Sequence, residues 1–226
     1  MTELAIYDMD RTITRTGTYT PFLIHAARAL APWRLALSPL VVLAMAAYGT
    51  RLISRKRLKE VNQALLLGGS VSRAALAPVA ASFADAVMRG NVLPGALARI
   101  AADRAAGRRL VLATASYRLY VEAIAERLGF DDVIATNSVA GVGDRLMARI
   151  DGVNCYGPDK LRMIEAWLRT VGLDRNAIRI LFYSDHASDA PVMEWADEAY
   201  AANPSPKMRA LAEVRGWPVL DFSEAA

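Results

Sequence analysis

Three short runs of branched apolar residues, Leu4–Asp8, Arg109–Ala113 and Ile178–Tyr183, each give way at the carboxyl end to Asp, Thr or Ser. Runs this short, apolar at nearly every position, predict strands buried on both faces, as in a parallel sheet. Between them apolar residues recur three and four apart. That spacing predicts helices over Leu119–Leu128, Lys160–Leu168 and Pro206–Val214, with Gly129 closing the first as a C-cap. Asp189-Ala190-Pro191 predicts a further helix start, with Asp189 as the N-cap and an early proline. Strands alternating with helices predict an α/β fold on a central parallel sheet, in which ligand chemistry gathers at the carboxyl ends of the strands. Asp151-Gly152, between LMARI and VNCY, predicts a two-residue hairpin turn appended to that sheet.

The first and second of these strands lie about a hundred residues apart, whereas a crossover helix needs only a few tens. An insertion fills the gap. Residues 17–90 are rich in Ala and Leu at helical spacing, which predicts a helical cap domain over 17–90 on a core of 1–16 and 91–226.

Charge sharpens this division. From Arg11 to Lys59 there are nine Lys or Arg residues and no Asp or Glu, so with +4 overall the remainder of the chain carries −5. Such a segment is suited to an anionic surface or ligand. Within it Leu35–Thr50 is uncharged and apolar, flanked by Arg28 and Arg34 before and by Arg51, Arg55, Lys56, Arg57 and Lys59 after. It falls short of the roughly 20 residues of a membrane span, and Pro39 interrupts it. Two readings stand: a helix lying in a lipid interface, or a buried cap helix with a solvated basic rim. The single cysteine, Cys155, excludes an intramolecular disulfide and reads as an inert core residue. Together with an opening stretch that reads as a strand instead of a leader, it points to a reducing, cytoplasmic compartment.

Four features carry chemistry. At the end of the first strand, YDMDRT sets Asp8 and Asp10 two residues apart, aimed the same way by strand alternation, with Thr12 following. Two buried like charges call for a cation or a shared proton. After the strand RILFY, Ser184-Asp185-His186-Ala187-Ser188-Asp189 brings two more carboxylates to a strand end. An oxygen-only ligand set favours a hard cation, Mg²⁺ above all. Thr114 and Ala115, after RRLVLA, offer a hydroxyl and backbone N–H groups for phosphate, and Lys160 in YGPDK opens a helix.

In this order the four features resemble the haloacid dehalogenase superfamily of aspartyl phosphatases, in its phosphoserine-phosphatase-like subgroup. The likeness covers Leu4–Thr14 and about 108–221. It implies a Rossmann-like parallel sheet core with a helical cap inserted after the first strand. It further implies Asp8 as nucleophile and Asp10 as general acid and base. Mg²⁺ would be held by Asp8, Asp185 and the backbone carbonyl of Asp10. Thr114, Ala115 and Lys160 would hold the phosphoryl oxygens, with Asp189 and Thr12 in support. The family commonly has glycine where this chain has Arg11, and Gly-Asp-Gly where it has Ser184-Asp185-His186; His186 reads as a hydrogen-bonded neighbour. Phosphoserine phosphatases pair the substrate ammonium with an early cap acid, which is missing here.

The cap instead resembles that of phosphatidylglycerophosphatase C proteins in Pro21-Phe22-Leu23, Leu35–Tyr48 and Ala64–Gly69. The phosphomonoester expected is therefore a lipid phosphate such as phosphatidylglycerophosphate, placing the chain in phospholipid metabolism. Residues 28–59 would meet an anionic membrane surface on the cytoplasmic face of the inner membrane. Phosphoserine or another small metabolite is the alternative substrate. A phosphotransferase with an acceptor other than water shares the first half-reaction. A catalytically idle, membrane-docked binding protein is the alternative of another class, opposed by the clustering of costly carboxylates. Nucleic acid is disfavoured, because the basic residues interleave with aliphatics and not with stacking aromatics.

Overall fold

The computed structural model describes residues 2–224. In chain order its elements are β1 (Thr2–Tyr7), α1 (Tyr19–Leu30), a 3-10 turn (Pro32–Leu37), α2 (Ser38–Gly49), α3 (Arg55–Leu67), β2 (Ser70–Ser72) and α4 (Arg73–Gly90). There follow α5 (Pro94–Ala105), β3 (Arg109–Tyr117), α6 (Arg118–Leu128), β4 (Asp132–Ala140), β5 (Arg145–Asp151), α7 (Pro158–Thr170), β6 (Ile178–Ser184), α8 (Ala190–Trp195), β7 (Glu198–Ala202), α9 (Pro206–Arg215) and β8 (Val219–Leu220).

The eight strands form one sheet in the order β2-β5-β4-β3-β1-β6-β7-β8. From β4 to β8 neighbouring strands are parallel, and β5 and β2 extend that edge antiparallel. The expected α/β architecture with a helical insertion after the first strand is what the chain forms. β1 explains why its sequence lacks polar alternation: Ala5 and Tyr7 enter the core on one face of the sheet, Leu4 and Ile6 that on the other, and all four are fully buried. β3 flanks β1 on one side and β6 on the other, so the crossovers diverge at β1 and open a crevice at its carboxyl end.

Behind that crevice a register-matched row of tyrosines stiffens the sheet. Tyr7 pairs with Tyr183, and Tyr183 with Tyr200. Their rings stack at centroid separations of 4.2 and 5.0 Å, with the Arg99 guanidinium over Tyr183 and Tyr200.

The chain leaves the sheet and returns to it along one seam. Thr14 bridges Val92, Arg15 N–H donates to Asn91 O at 2.7 Å, and Leu93 N–H donates to Ile13 O at 2.9 Å.

Two expectations need correction and one needs detail. Asp151-Gly152 does not close a hairpin. The hairpin is β4/β5, closed by residues 141–144, with Gly141 N–H donating to Arg145 O at 2.8 Å. Asp151 ends β5, and Gly152, at φ 65°, turns the chain into a loop that buries Cys155 and leads to α7. An Asp-Gly pair signals a positive φ, and a long-range partner decides whether the chain doubles back there. Secondly, the insertion is mostly helical as expected, with one short strand added: β2 pairs with β5, Ser70 opposite Met147. Thirdly, the Asp189 side chain does not cap α8, because Lys160 and Ser184 claim it.

Candidate active site

A cleft of about 520 Å³ opens at the carboxyl ends of β1, β3 and β6, beneath the inserted helices. Its lining includes Asp8, Asp10, Thr114, Ala115, Lys160, Asp185 and Asp189. Of the residues singled out from the sequence, only Thr12 is not part of that wall; it stands behind Asp185.

Lys160 is the hub. Gly157, at φ 59°, bends the chain into α7, and Lys160 in the first turn runs inward until it is only 2% exposed. Its ammonium donates to Asp8 Oδ1 at 2.8 Å and to Asp189 Oδ2 at 2.6 Å. Ser184 Oγ donates to the same Asp189 oxygen at 2.7 Å. Burial opposes the charge on Lys160, but Asp189 and Asp8 outweigh it and hold the pKa above that of a free lysine.

The carboxylates are less well balanced. Burial pushes Asp8 up to about 6, although Lys160 pulls it down. Asp185 is pushed up to about 7, by burial and by the charges of Asp8 and Asp189. The cleft thus holds more negative charge than Lys160 alone offsets. Asp189 Oδ1 is buried without a protein hydrogen-bond partner among the described residues. The Asp8 and Asp185 carboxylates make a hard, oxygen-only donor set that fits Mg²⁺ with retained waters, and the orphaned Asp189 oxygen is left to accept from such a water. Among the described residues no three His, Cys, Asp or Glu side chains gather as metal ligands, so a cation here would rest on two carboxylates and other oxygens. The Asp10 carboxylate is committed elsewhere. Thr18 N–H and Oγ1 donate to its Oδ1 at 2.8 and 2.7 Å, and Ser116 Oγ donates to its Oδ2 at 2.7 Å.

Thr12 Oγ1 accepts from Asp185 N–H at 3.0 Å, tying the first motif to the last. Arg11 explains the family's usual glycine: its φ is 66°, in the left-handed region that costs a side-chain-bearing residue about 1–2 kcal/mol. Asn203 holds the strained loop by donating to the carbonyls of Arg11 and Thr12 at 3.2 and 3.1 Å. His186 Nδ1 accepts from Ser188 N–H at 3.1 Å, so the imidazole is a hydrogen-bonded neighbour, with its pKa lowered by burial.

Two residues had gone unread as parts of the site, Thr18 and Arg55, and Ser116, expected beside Thr114 and Ala115 at the phosphate, instead donates to Asp10. Thr18 also orients Asp10, and it had left a trace in the sequence as the polar residue just before α1. Arg55, the first residue of α3, lines the cleft with its guanidinium 3.9 Å from the Tyr156 ring centroid. The cap-side lining, Gly17, Tyr19, Thr20, Pro21 and Arg55, includes no acid.

Comparison with known proteins shows what the chain and its fold are similar to. A probable phosphatase of Mycobacterium tuberculosis is 35% identical over 124 residues, which are 55% of this chain and 42% of that protein. The chain thus spans less than half the length of this relative. A crystal structure of a Bordetella pertussis protein of unknown function superposes with a TM-score of 0.87 at 27% identity, covering 98% of this chain and 99% of that one. A probable phosphoserine phosphatase from Vibrio cholerae shares the fold at 15% identity, with a TM-score of 0.66 over 98% of this chain and 61% of that one. Residues 5–194 match the haloacid dehalogenase-like hydrolase family, and the chain belongs to it.

Proposed function

We propose that this chain is a phosphoric monoester hydrolase working through an aspartyl phosphate, and that its substrate is a lipid phosphate such as phosphatidylglycerophosphate. The observation that carries the first part is the buried Lys160 ammonium bridging Asp8 and Asp189 in the cleft.

In the first step an Asp8 carboxylate oxygen attacks phosphorus and the ester P–O bond breaks, while Asp10 gives a proton to the departing alkoxide. In the second, water passes a proton back to Asp10 and its oxygen attacks phosphorus. The bond to Asp8 breaks and inorganic phosphate leaves. Thr18 and Ser116 hold Asp10 in one orientation for both transfers. Lys160 and the Thr114 hydroxyl would take phosphoryl oxygens, and the ammonium also restrains the charge of Asp8. Mg²⁺, held by Asp8 and Asp185, would add positive charge against the phosphoryl oxygens.

The lipid part rests on the far side of the inserted helices. Val42 and Leu43 on α2 are 65% and 64% exposed, Trp33 64%, and Leu52 79%. This disfavours a buried cap helix, although Val41 and Ala44 do pack inward. The stretch Pro32–Gly49 has a mean hydropathy of 1.2 over 18 residues, yet α2 packs along α3 and the 3-10 turn, so we read it as lying flat on an anionic bilayer. Arg34, Arg51 and Arg55 flank it. Arg55 lies three residues beyond the exposed Leu52 and also lines the cleft, which supports a reading in which the cleft opens near the docked face. An ammonium-bearing substrate finds no cap carboxylate there. We infer a peripheral position on the cytoplasmic face of the inner membrane, with residues 28–59 as the contact.

The test is phosphate release, with and without Mg²⁺, over phosphoserine, sugar phosphates and micellar phosphatidylglycerophosphate, with Asp8→Asn as blank. Mg²⁺-dependent turnover fastest on the micellar lipid is expected. Preference for a soluble ester would remove the lipid assignment, and turnover by Asp8→Asn at the normal rate would remove the mechanism.

A further inference from the structure

Lys59 belongs to the inserted helix α3, and the chemistry above does not use it. It is 6% exposed, and no carboxylate is paired with it among the described residues. Its ammonium instead donates to the backbone carbonyl of Ala115 and, at 2.7 Å, to Asn154 Oδ1. It also lies 4.7 Å from the Tyr117 ring centroid and 5.5 Å from that of Tyr19. A buried cation solvated by two neutral acceptors and two rings is costly to keep.

What it grips gives that cost a purpose. The Ala115 carbonyl and the Ser116 N–H belong to one rigid peptide unit, so pulling on one aims the other. That N–H donates to Thr114 Oγ1 at 3.1 Å, which occupies a lone pair of the hydroxyl and leaves its proton free for the cleft. Ser116, next in the chain, donates its hydroxyl to Asp10. Asn154, the other acceptor, lies in the loop that leads into the helix of Lys160. Thr136 Oγ1, 2.7 Å from the Ala115 carbonyl and 3.0 Å from Asn154 Oδ1, completes the cluster. A charged donor at the head of such a chain polarises every bond along it.

We infer that Lys59 is a cap-borne positioning residue: it fixes the peptide that presents the Thr114 hydroxyl to the phosphoryl group and couples seating of the inserted helices to that act. The inference rests on the phosphatase reading of the cleft. Burial, then the charge of Arg55, lowers the Lys59 pKa to about 7, while Asp10 and Cys155 work in the opposite direction. The facing groups are therefore Arg55 on its own helix, Asp10 after β1, Cys155 before α7, and the rings of Tyr19 and Tyr117.

The test compares wild type, Lys59→Met and Asn154→Asp on a small soluble phosphate ester, with inorganic phosphate affinity measured separately by calorimetry. Inactive wild type would defeat the phosphatase reading itself. With wild type active, Lys59→Met should lower kcat about tenfold or more and weaken phosphate binding similarly. Its Tm should hold or rise, since a methionine of similar length replaces a buried charge. Values of kcat and phosphate affinity within twofold of wild type would overturn the inference. Should Lys59→Met fail to fold, Asn154→Asp decides. A carboxylate beside the ammonium should carry the alkaline limb of kcat upward by about one pH unit, and an unmoved limb would overturn the inference.

Discussion

The floor of the cleft and the outer face of α2 are opposite solutions to exposure. In the cleft, charged groups that water would stabilise are buried and left to balance one another: Lys160 against Asp8 and Asp189, with Asp185 in excess. On α2, aliphatic groups that a core would stabilise are left outside, with basic residues on either side. Each region is locally unfavourable as a piece of a water-soluble fold, and under the proposed function each would be resolved by an external component, a cation and a phosphoryl group for one and a bilayer for the other. Departures from ordinary burial thus mark both places where the chain is read as meeting something else.

The largest effect should separate the two regions outright. Asp8→Asn should reduce turnover by at least about a thousandfold while leaving vesicle binding intact, measured by phosphate release and by liposome sedimentation. Joint loss of both would mean that the regions are not independent. Next, Lys160→Met leaves Asp8 and Asp189 buried without their cation and should lower stability by about 3–5 kcal/mol, read from denaturant titration. A change below 1 kcal/mol would show that the carboxylates are already neutralised by other means. On the opposite face, Val42→Asp with Leu43→Asp should weaken binding to anionic vesicles tenfold or more. Turnover of a small soluble ester should stay within twofold. Equal affinity would end the case for docking through α2.

A pH effect then sharpens the account of the cleft. Burial, with the charges of Asp8 and Asp189, pushes the Asp185 carboxyl from 3.8 up to about 7 in the folded state, so the folded state holds its proton more tightly. That contribution to stability is present below about pH 4 and is lost as pH rises through 7. In metal-free solution at pH 7.5, Asp185→Asn should therefore melt a few degrees above wild type, the gap closing toward pH 5, and saturating Mg²⁺ should reverse the order. A variant that melts lower at pH 7.5 without metal would show that Asp185 is stabilised by its surroundings. The smallest effect concerns Arg11: Arg11→Gly relieves the left-handed backbone at some entropic cost, for a net gain of roughly 0.5 kcal/mol by thermal melting.

How much of this was legible in the sequence depended on whether the deciding contact was local. Asp8, Asp185 and Thr114 could be read because each closely follows an apolar run that is continuous in sequence, although β3 itself continues past Thr114 to Tyr117. Lys160 could be assigned only through its place in a set of motifs, since a lone lysine at a helix start is ordinarily solvated. The direction of the Asp189 side chain was not legible: as a helix-preceding residue it should cap α8, and a partner 29 positions away outcompetes the backbone. The hairpin failed for the same reason, because Gly152 does adopt a positive φ but its neighbours are drawn into the loop that buries Cys155. Lys59 looked like one more member of a basic run. Only the tertiary fold separates it from Lys56, which stays outside and reaches the Gly152 carbonyl at 2.7 Å.

The seam at which Thr14 meets Val92 makes the inserted helices detachable in principle. Because departure and return lie side by side, a few-residue linker could join them at the loss of only the edge strand β2, and a foreign module could be grafted at the same point. Divergence in what the cleft accepts can then proceed by exchange of a whole lid, provided the newcomer supplies the two donors that Thr18 gives to Asp10.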